Sequence, residues 1–437
     1  MPINVLGAVL LEGPQVIPGW ELIKTYAPAV AVVGAIKYYF GGSSNIWERD
    51  MHGRVFMITG GTSGVGAQVA FQLASQGAQI VLLVRKVEDQ WLIDYIEDMR
   101  ERTNNFLIYA EECDLASLHS VRKFATKWLD NSPPRRLDGV VCCAAESIPP
   151  YKPRQVTTDG LERQMGVNYV SHFHLLTLLG PALRVQPPDR DVRVVLASCA
   201  SQSLGELDLE DPLWQTRRYP TNKPLSVYGT SKLLLGLFAK EFQNQLDEYE
   251  RKDKAPCNVR LVTANPGILR TPSTRRFLSL GSVWGLILYW ILFPIWFIFL
   301  KSAYEGSQSI MYALSAKDLA KMQGAQHIQE CRIVKSSRKE LFDEELQKQY
   351  FQATEKKIEE VERQSAKQRA MNAPPKEKKD KKEKTGKEDV ATNLSTSSIQ
   401  EDVYTMPKTP EELEAKLNIL RKDLASAATK KRKGKKA

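Results

Sequence analysis

The chain has 437 residues, is 43% hydrophobic and carries a formal net charge of +10, enough length for one large α/β domain with extensions or for two modest domains. Much of the excess charge lies in "PPKEKKDKKEKTGKED" and in the terminal "KKRKGKK", segments poor in aromatic residues, so it reads as a solvated tail able to rest on anionic lipid and not as a folded face for nucleic acid. Six scattered cysteines read as reduced thiols of a cytosolic domain, and five histidines with no H-E-x-x-H pattern give no support for a metal site.

Residues 1–50 form an apolar leader. Its start, "MPINVLGAVLLEGP", lacks the basic n-region of a secretory signal. A second apolar run, "APAVAVVGAIKYYF", is short for a spanning helix and carries Lys37. It reads either as a shallow membrane-associated segment or as a helix packed on the domain.

From "GRVFMITG" onward, strand-like runs alternate with helical patterns, and a single domain is expected over 51–336. The strands are "RVFMITG", "AQIVLLVR", "NFLIYAEECD", "LDGVVCCAA", "RVVLASC", "NVRLVTANPG" and a last one, "HIQECRIV". Between them lie helices such as "GAQVAFQLASQ" and "SLHSVRKFATKWL". The alternation implies a doubly wound parallel sheet with helices on both faces, a Rossmann-type α/β fold. Cys142 and Cys143 are neighbours in a strand and so point to opposite faces. After Ser337 a charged tail, 337–437, begins with a long, mildly amphipathic helix. Residues 373–408 have too few apolar side chains to fold alone. A short helix follows from Thr409, with Pro410 in its first turn and Glu412 completing a capping box.

"TGGTSGVG" follows the first strand and opens a helix, with Gly60, Gly64 and Gly66 in the spacing T-G-x-x-x-G-x-G. Glycine there permits a tight turn and close approach of a pyrophosphate to a helix N-terminus. Thr62, Ser63 and Val65 complete that loop. At the end of the second strand, "LLVRK" places Arg85 and Lys86 where they suit a 2′-phosphate, which points to NADP(H). Asp114 in "CDL" reads as a contact to the adenine edge or as a cap of the next helix.

"SVYGTSK" sets Tyr228 and Lys232 four residues apart on one face of a helix. A free phenol titrates near ~10. A nearby ammonium and a positively charged nicotinamide favour the phenolate, so the pair is expected to bring Tyr228 into range for proton transfer.

On these residues the chain resembles the short-chain dehydrogenase/reductase family over roughly residues 53–335. "LLVRK", "GVNYVSHFHLL" and "EGSQSIMYAL" look most like its retinol-dehydrogenase-like branch and fungal lipid-droplet relatives. The resemblance implies that "TGGTSGVG" is the cofactor loop and that Ala144, after the fourth strand, touches the cofactor. It makes "YGTSK" the Tyr-x-x-x-Lys motif and Asn168 the asparagine of the proton relay. Pro266, Gly267, Ile268 and Thr271 of "NPGILRT" fall in the loop that holds the nicotinamide amide. Two departures stand out. The family's Asn-Asn-Ala-Gly is "CCAA" here, where Ala145 adds a methyl group and Cys143 lacks an amide. The usual serine register falls on Cys199, flanked by Ser198 and Ser201. A thiol is a weak donor, so polarising a carbonyl would pass to Ser198 or Ser201.

"LGSVWGLILYWILFPIWFIFL", residues 280–300, has no charged side chain and is long enough to cross a bilayer. If the strands on both sides of it belong to one sheet, a single span is excluded, which leaves either a buried element or a hairpin that dips into the membrane and returns. A hydrophobic, membrane-dipping lid is expected, broken at Pro294 or Gly285, with Trp284, Tyr289, Trp290 and Trp296 as interface-seeking side chains. The resemblance implies NADP(H)-dependent interconversion of alcohol and carbonyl on an apolar substrate: a retinoid, a sterol or a long-chain aldehyde. Tyr228 would be the acid/base, Lys232 would lower its pKa and hold the ribose, and Ser198 or Cys199 would polarise the oxygen. The implied location is a lipid droplet or the endoplasmic reticulum membrane, with the catalytic domain facing the cytosol. The alternative is a weakly active or non-catalytic cofactor-binding protein of a lipid surface, which "CCAA" and Cys199 favour.

Overall fold

The computed structural model describes residues 13–372. The expectations for 373–408 and for the helix at Thr409 lie outside the described residues.

Eight strands form one sheet: β1 (Val55–Thr59), β2 (Gln79–Val84), β3 (Ile108–Glu112), β4 (Gly139–Cys142), β5 (Val192–Ala197), β6 (Val259–Asn265), β7 (Gln326–Gln329) and β8 (Arg332–Ile333). Their order is β3-β2-β1-β4-β5-β6-β7-β8. Every neighbouring pair is parallel except β7–β8. Runs such as "VFMIT" in β1 are buried throughout, because helices cover both faces of a parallel sheet. The chain winds one way from β1 to β3 and the other way from β4 onward. A crevice therefore opens beyond the C-terminal ends of β1 and β4.

The described α-helices of four or more residues are α1 (Trp20–Gly41), α2 (Gly64–Ser75), α3 (Gln90–Thr103), α4 (Leu118–Leu129), α5 (Ser171–Leu178), α6 (Gly180–Arg184), α7 (Pro224–Glu248), α8 (Pro272–Leu278), α9 (Val283–Ile291), α10 (Phe293–Phe299), α11 (Ala303–Ser315), α12 (Asp318–Lys321) and α13 (Glu344–Asn372). On one face of the sheet, Phe124 of α4, Phe173 of α5 and Phe238 of α7 share a core. On the other, Val69 and Leu73 of α2 pack with Ile96 of α3 and Ile310 of α11. Cys142 belongs to the first core and Cys143 packs on the second, as the alternation of a strand requires.

The described part of the charged segment after Ser337 folds onto the domain. Tyr350, Phe351, Ile358 and Val361 of α13 are buried, and the Phe351 ring lies 4.7 Å from that of Phe173.

Two expectations need correction. "HIQECRIV" is not one strand: Glu330 and Cys331 both take φ of 52°, the paired left-handed turn that reverses a hairpin, so β7 and β8 run antiparallel. The hydrophobic run breaks once, at Leu292 between α9 and α10, with Pro294 in the first turn of α10. Gly285 does not break it. It lies inside α9, where a side chain would strike the Ser279 carbonyl.

Candidate active site

At the switch point a cavity of about 1380 Å³ extends over the strand ends. One end is the glycine-rich loop. Gly60 and Gly64 take φ of 66° and 59°, conformations that glycine adopts without strain. A Cβ on Gly60 would stand 2.8 Å from Ala144 Cα. No side chain caps α2, and its first-turn residues Gly64, Val65 and Gly66 line the cavity with Thr62 and Ser63. The positive end of a helix thus faces a backbone cradle, which fits a pyrophosphate.

Arg85 and Lys86 line the same cavity at the end of β2. Asp114 lines it too, and its Oδ1 accepts from Ala116 N at 3.0 Å. The cap of α4 is Ser117, so Asp114 is not the cap. Trp91, at the rim, was missed in the sequence. It stacks on Tyr95 with ring centroids 5.7 Å apart, and Tyr95 Oη donates to Gly61 O at 3.0 Å, tying α3 to the loop.

At the far end stands α7. Tyr228 and Lys232 both line the cavity. Lys232 is only 2% exposed. Its Nζ donates to Ala197 O at 2.8 Å and lies 5.7 Å from the Tyr228 ring centroid. Burial raises the Tyr228 phenol above its ordinary value, with the Cys199 thiol adding to it. Burial also lowers Lys232. The expected lowering of Tyr228 is therefore not supplied by the protein alone, because a low-dielectric wall disfavours both charged forms.

Ser198 lines the cavity, but its Oγ donates to Gln202 Oε1 at 3.1 Å, so its proton is committed. Cys199 and Ser201 line it as well, and Ser201 Oγ has no hydrogen-bond partner among the described residues. Pro266, Gly267, Ile268 and Thr271 line it too, as does Ala144. Asn265 Oδ1 accepts from Gly267 N at 3.0 Å.

Asn168 is the one expected site residue that does not line the cavity. It is fully buried behind the wall. Its Oδ1 accepts from Glu146 N at 2.7 Å, and its Nδ2 donates to Glu146 O at 2.9 Å and to Ser231 Oγ at 3.3 Å. Glu146 itself was missed, although it directly follows "CCAA". Its carboxylate pairs with Arg163 at 2.7 Å and with Arg276 at 3.4 Å.

Val283 and Leu286 of α9 and Trp296 of α10 line the cavity, while Trp284 and Ile291 turn outward, 81% and 68% exposed. α1 has no buried residue and leans on this lid. Phe40 meets Phe299 at 5.1 Å, and Lys37 pairs with Glu305 at 3.5 Å. Of the two readings left open for α1, the packed helix is the one observed, and its outer side is apolar and exposed. No described helix is long and apolar enough to cross a membrane.

A glycine-rich backbone cradle at one end of a cavity and a tyrosine–lysine pair at the other are the arrangement of a nicotinamide-dependent oxidoreductase. Residues 54–201 match the short chain dehydrogenase family. An uncharacterized oxidoreductase of Saccharomyces cerevisiae is 44% identical over 391 residues, spanning 85% of this chain and 95% of its own length. Human retinol dehydrogenase 13 is 31% identical over 66% of this chain and 80% of its own. Mouse polyprenol dehydrogenase is 34% identical over 61% and 73%. The chain belongs to the short-chain dehydrogenase/reductase family.

Proposed function

We propose that the protein uses NADP(H) to interconvert an alcohol and a carbonyl on an apolar, lipid-like substrate at a lipid surface. One observation carries this reading: a single cavity joins Arg85 and Lys86, the glycine cradle, the Tyr228–Lys232 pair and the apolar lid. Retinol and polyprenol, named in two relatives, are both isoprenoid alcohols. That narrows the favoured substrates from retinoids, sterols and long-chain aldehydes toward isoprenoid alcohols and aldehydes.

Gly60, Thr62, Ser63, Gly64, Val65 and Gly66 would hold the pyrophosphate. Arg85 and Lys86 would pair with the 2′-phosphate. Asp114 would meet the adenine edge, and Pro266 to Ile268 with Thr271 would hold the nicotinamide end against Ala144. When bound, the nicotinamide supplies or accepts the hydride. Tyr228 Oη gives a proton to the substrate oxygen in reduction and takes one in oxidation. Lys232 Nζ, fixed on Ala197 O, stabilises the phenolate that forms. The lid keeps water from the reacting end and admits substrate from the lipid side.

The outward apolar faces of α1, α9 and α10 support attachment to one leaflet, as for an interfacial helix. That suits a lipid droplet or the cytosolic face of the endoplasmic reticulum. The committed Ser198 proton and the thiol at Cys199 favour a second reading, a cofactor-binding lipid-surface protein with little turnover. Titration of purified protein in detergent with NADPH, followed by addition of an isoprenoid aldehyde, separates the two. The enzyme consumes NADPH; the second form only binds it.

A further inference from the structure

The loop "CCAA" after β4 forms one wall of the site, and thiols are poor hydrogen-bond groups. The loop is held from elsewhere. Ala144 N donates to Thr59 Oγ1 at 3.2 Å, and Asn168 grips both the N–H and the carbonyl of Glu146. Behind both anchors stands His172 of α5, fully buried. Its Nε2 lies 3.0 Å from Thr59 Oγ1 and its Nδ1 lies 3.0 Å from the main-chain oxygen of Asn168.

Chemistry fixes the direction of each bond. A carbonyl only accepts, so Nδ1 carries the proton. Burial lowers the ring to about 4, against the bond to Asn168 and helped by the Lys232 charge. Nε2 therefore keeps its lone pair near neutral pH, Thr59 donates to it, and the Thr59 oxygen is free to accept from Ala144. The run Ala144–Thr59–His172–Asn168 is complete, with each buried donor matched to an acceptor.

The ring has two arms with different consequences. Through Nε2 and Thr59 it sets the Ala144 peptide, which packs on Gly60 where the cofactor passes. Through Nδ1 it pins the Asn168 carbonyl. The Asn168 side chain in turn holds both polar groups of the Glu146 peptide and reaches Ser231 on α7, so this arm fixes the part of the wall that Glu146 gives to the cavity. Asn168 sits in the π-turn Gly166–Val170, an irregularity that recurs at functional sites.

We propose that His172 is a positioning residue of the active site, one arm setting the cavity wall at Ala144 and the other, through Asn168, setting the Glu146 peptide beside α7. The proposal rests on the oxidoreductase reading above.

Two substitutions separate the arms. His172→Gln keeps an acceptor near the Nε2 position and loses the donor to Asn168. His172→Asn keeps a donor near the Nδ1 position and loses the bond to Thr59. NADPH affinity is read by fluorescence titration, turnover with retinal as the probe carbonyl, and folding by thermal melt.

The Gln variant should hold NADPH within about threefold of the parent but lose about tenfold in kcat, the scale of one unsatisfied buried group. The Asn variant should bind NADPH about tenfold more weakly yet keep kcat at saturating cofactor within about threefold. Thr59→Val should match the Asn variant, and the double variant should be no worse than either single one. If Gln and Asn lower the same parameters equally, or only the melting temperature, His172 is a structural histidine and the proposal falls. If the parent binds NADPH but leaves retinal untouched, the difference in NADPH affinity between Gln and Asn still decides it. A parent that binds no nicotinamide cofactor overturns the oxidoreductase reading itself, and this proposal with it.

Discussion

Leu269 and Lys301 pair as a parallel β-bridge, and the lid hangs between them. Arg270 N donates to Lys301 O at 2.8 Å, and Lys301 N donates to Ile268 O at 3.1 Å. Lys301 is fixed again by its ion pair with Glu330 in the β7–β8 turn. The chain thus leaves the C-terminal end of β6 and returns to the same point. α8, α9 and α10 form an excursion with both ends on one side, which no single membrane span permits.

Charge placed at the tip of that excursion should release the protein from membranes. Replacing Ile291, Leu292 and Phe293 with lysine puts costly groups at the depth the lid would occupy. The variant is expected in the soluble fraction after cell fractionation. Unchanged association would move the anchor to residues 1–50, and protection of the C-terminal tail from added protease would contradict the hairpin.

Tyr228→Phe should abolish turnover and leave NADPH affinity nearly unchanged, because only the ionisable oxygen is lost. Residual kcat within about tenfold of the parent, a barrier change under ~1.4 kcal/mol, would remove Tyr228 from the acid/base role.

Arg85→Asp should reverse the cofactor preference. With Arg85 and Lys86 facing the cavity, the parent should bind NADPH more tightly than NADH, and a carboxylate there should repel the 2′-phosphate. Equal affinities of the parent for the two cofactors, measured by fluorescence titration, would sink the assignment.

The sheet was legible because β1 and β2 are covered on both faces and so read as nearly continuous apolar runs. The glycine-rich loop and the Tyr228–Lys232 pair were legible because each is a local pattern within one turn or helix. What escaped is contact between elements far apart in the chain. Thr59 meets His172, and Glu146 meets Arg276, across stretches that leave no periodic trace. The β7–β8 turn hid inside a β-rich run, since neither Glu330 nor Cys331 advertises a left-handed backbone. The burial of α13 rests on a few apolar positions, Tyr350, Phe351, Ile358 and Val361, in an otherwise charged helix.

α13 is also expected to carry an acid-sensitive contact. Burial pushes the Glu362 carboxyl up, but His174 of α5 and Arg122 of α4 outweigh it and hold it at about 2. Arg122 Nε and Nη2 both donate to it at 2.6 Å, and His174 Nε2 lies 3.1 Å away, off the line of a good hydrogen bond. A carboxyl held below its unfolded value of 4.5 stabilises the fold above that pH, and the contribution is lost as pH falls toward about 2. Glu362→Gln should therefore flatten the fall in melting temperature between those limits. Parallel profiles for parent and variant would show that the contact does not couple to folding.

The central claim is that one cavity brings a nicotinamide cofactor and a lipid-borne carbonyl to Tyr228. It is tested most directly by following NADPH absorbance when purified protein in detergent micelles is mixed with retinal. The account predicts loss of NADPH matched by formation of retinol, absent in Tyr228→Phe. Saturable NADPH binding with no NADPH consumed, for retinal and for longer isoprenoid aldehydes alike, would contradict it.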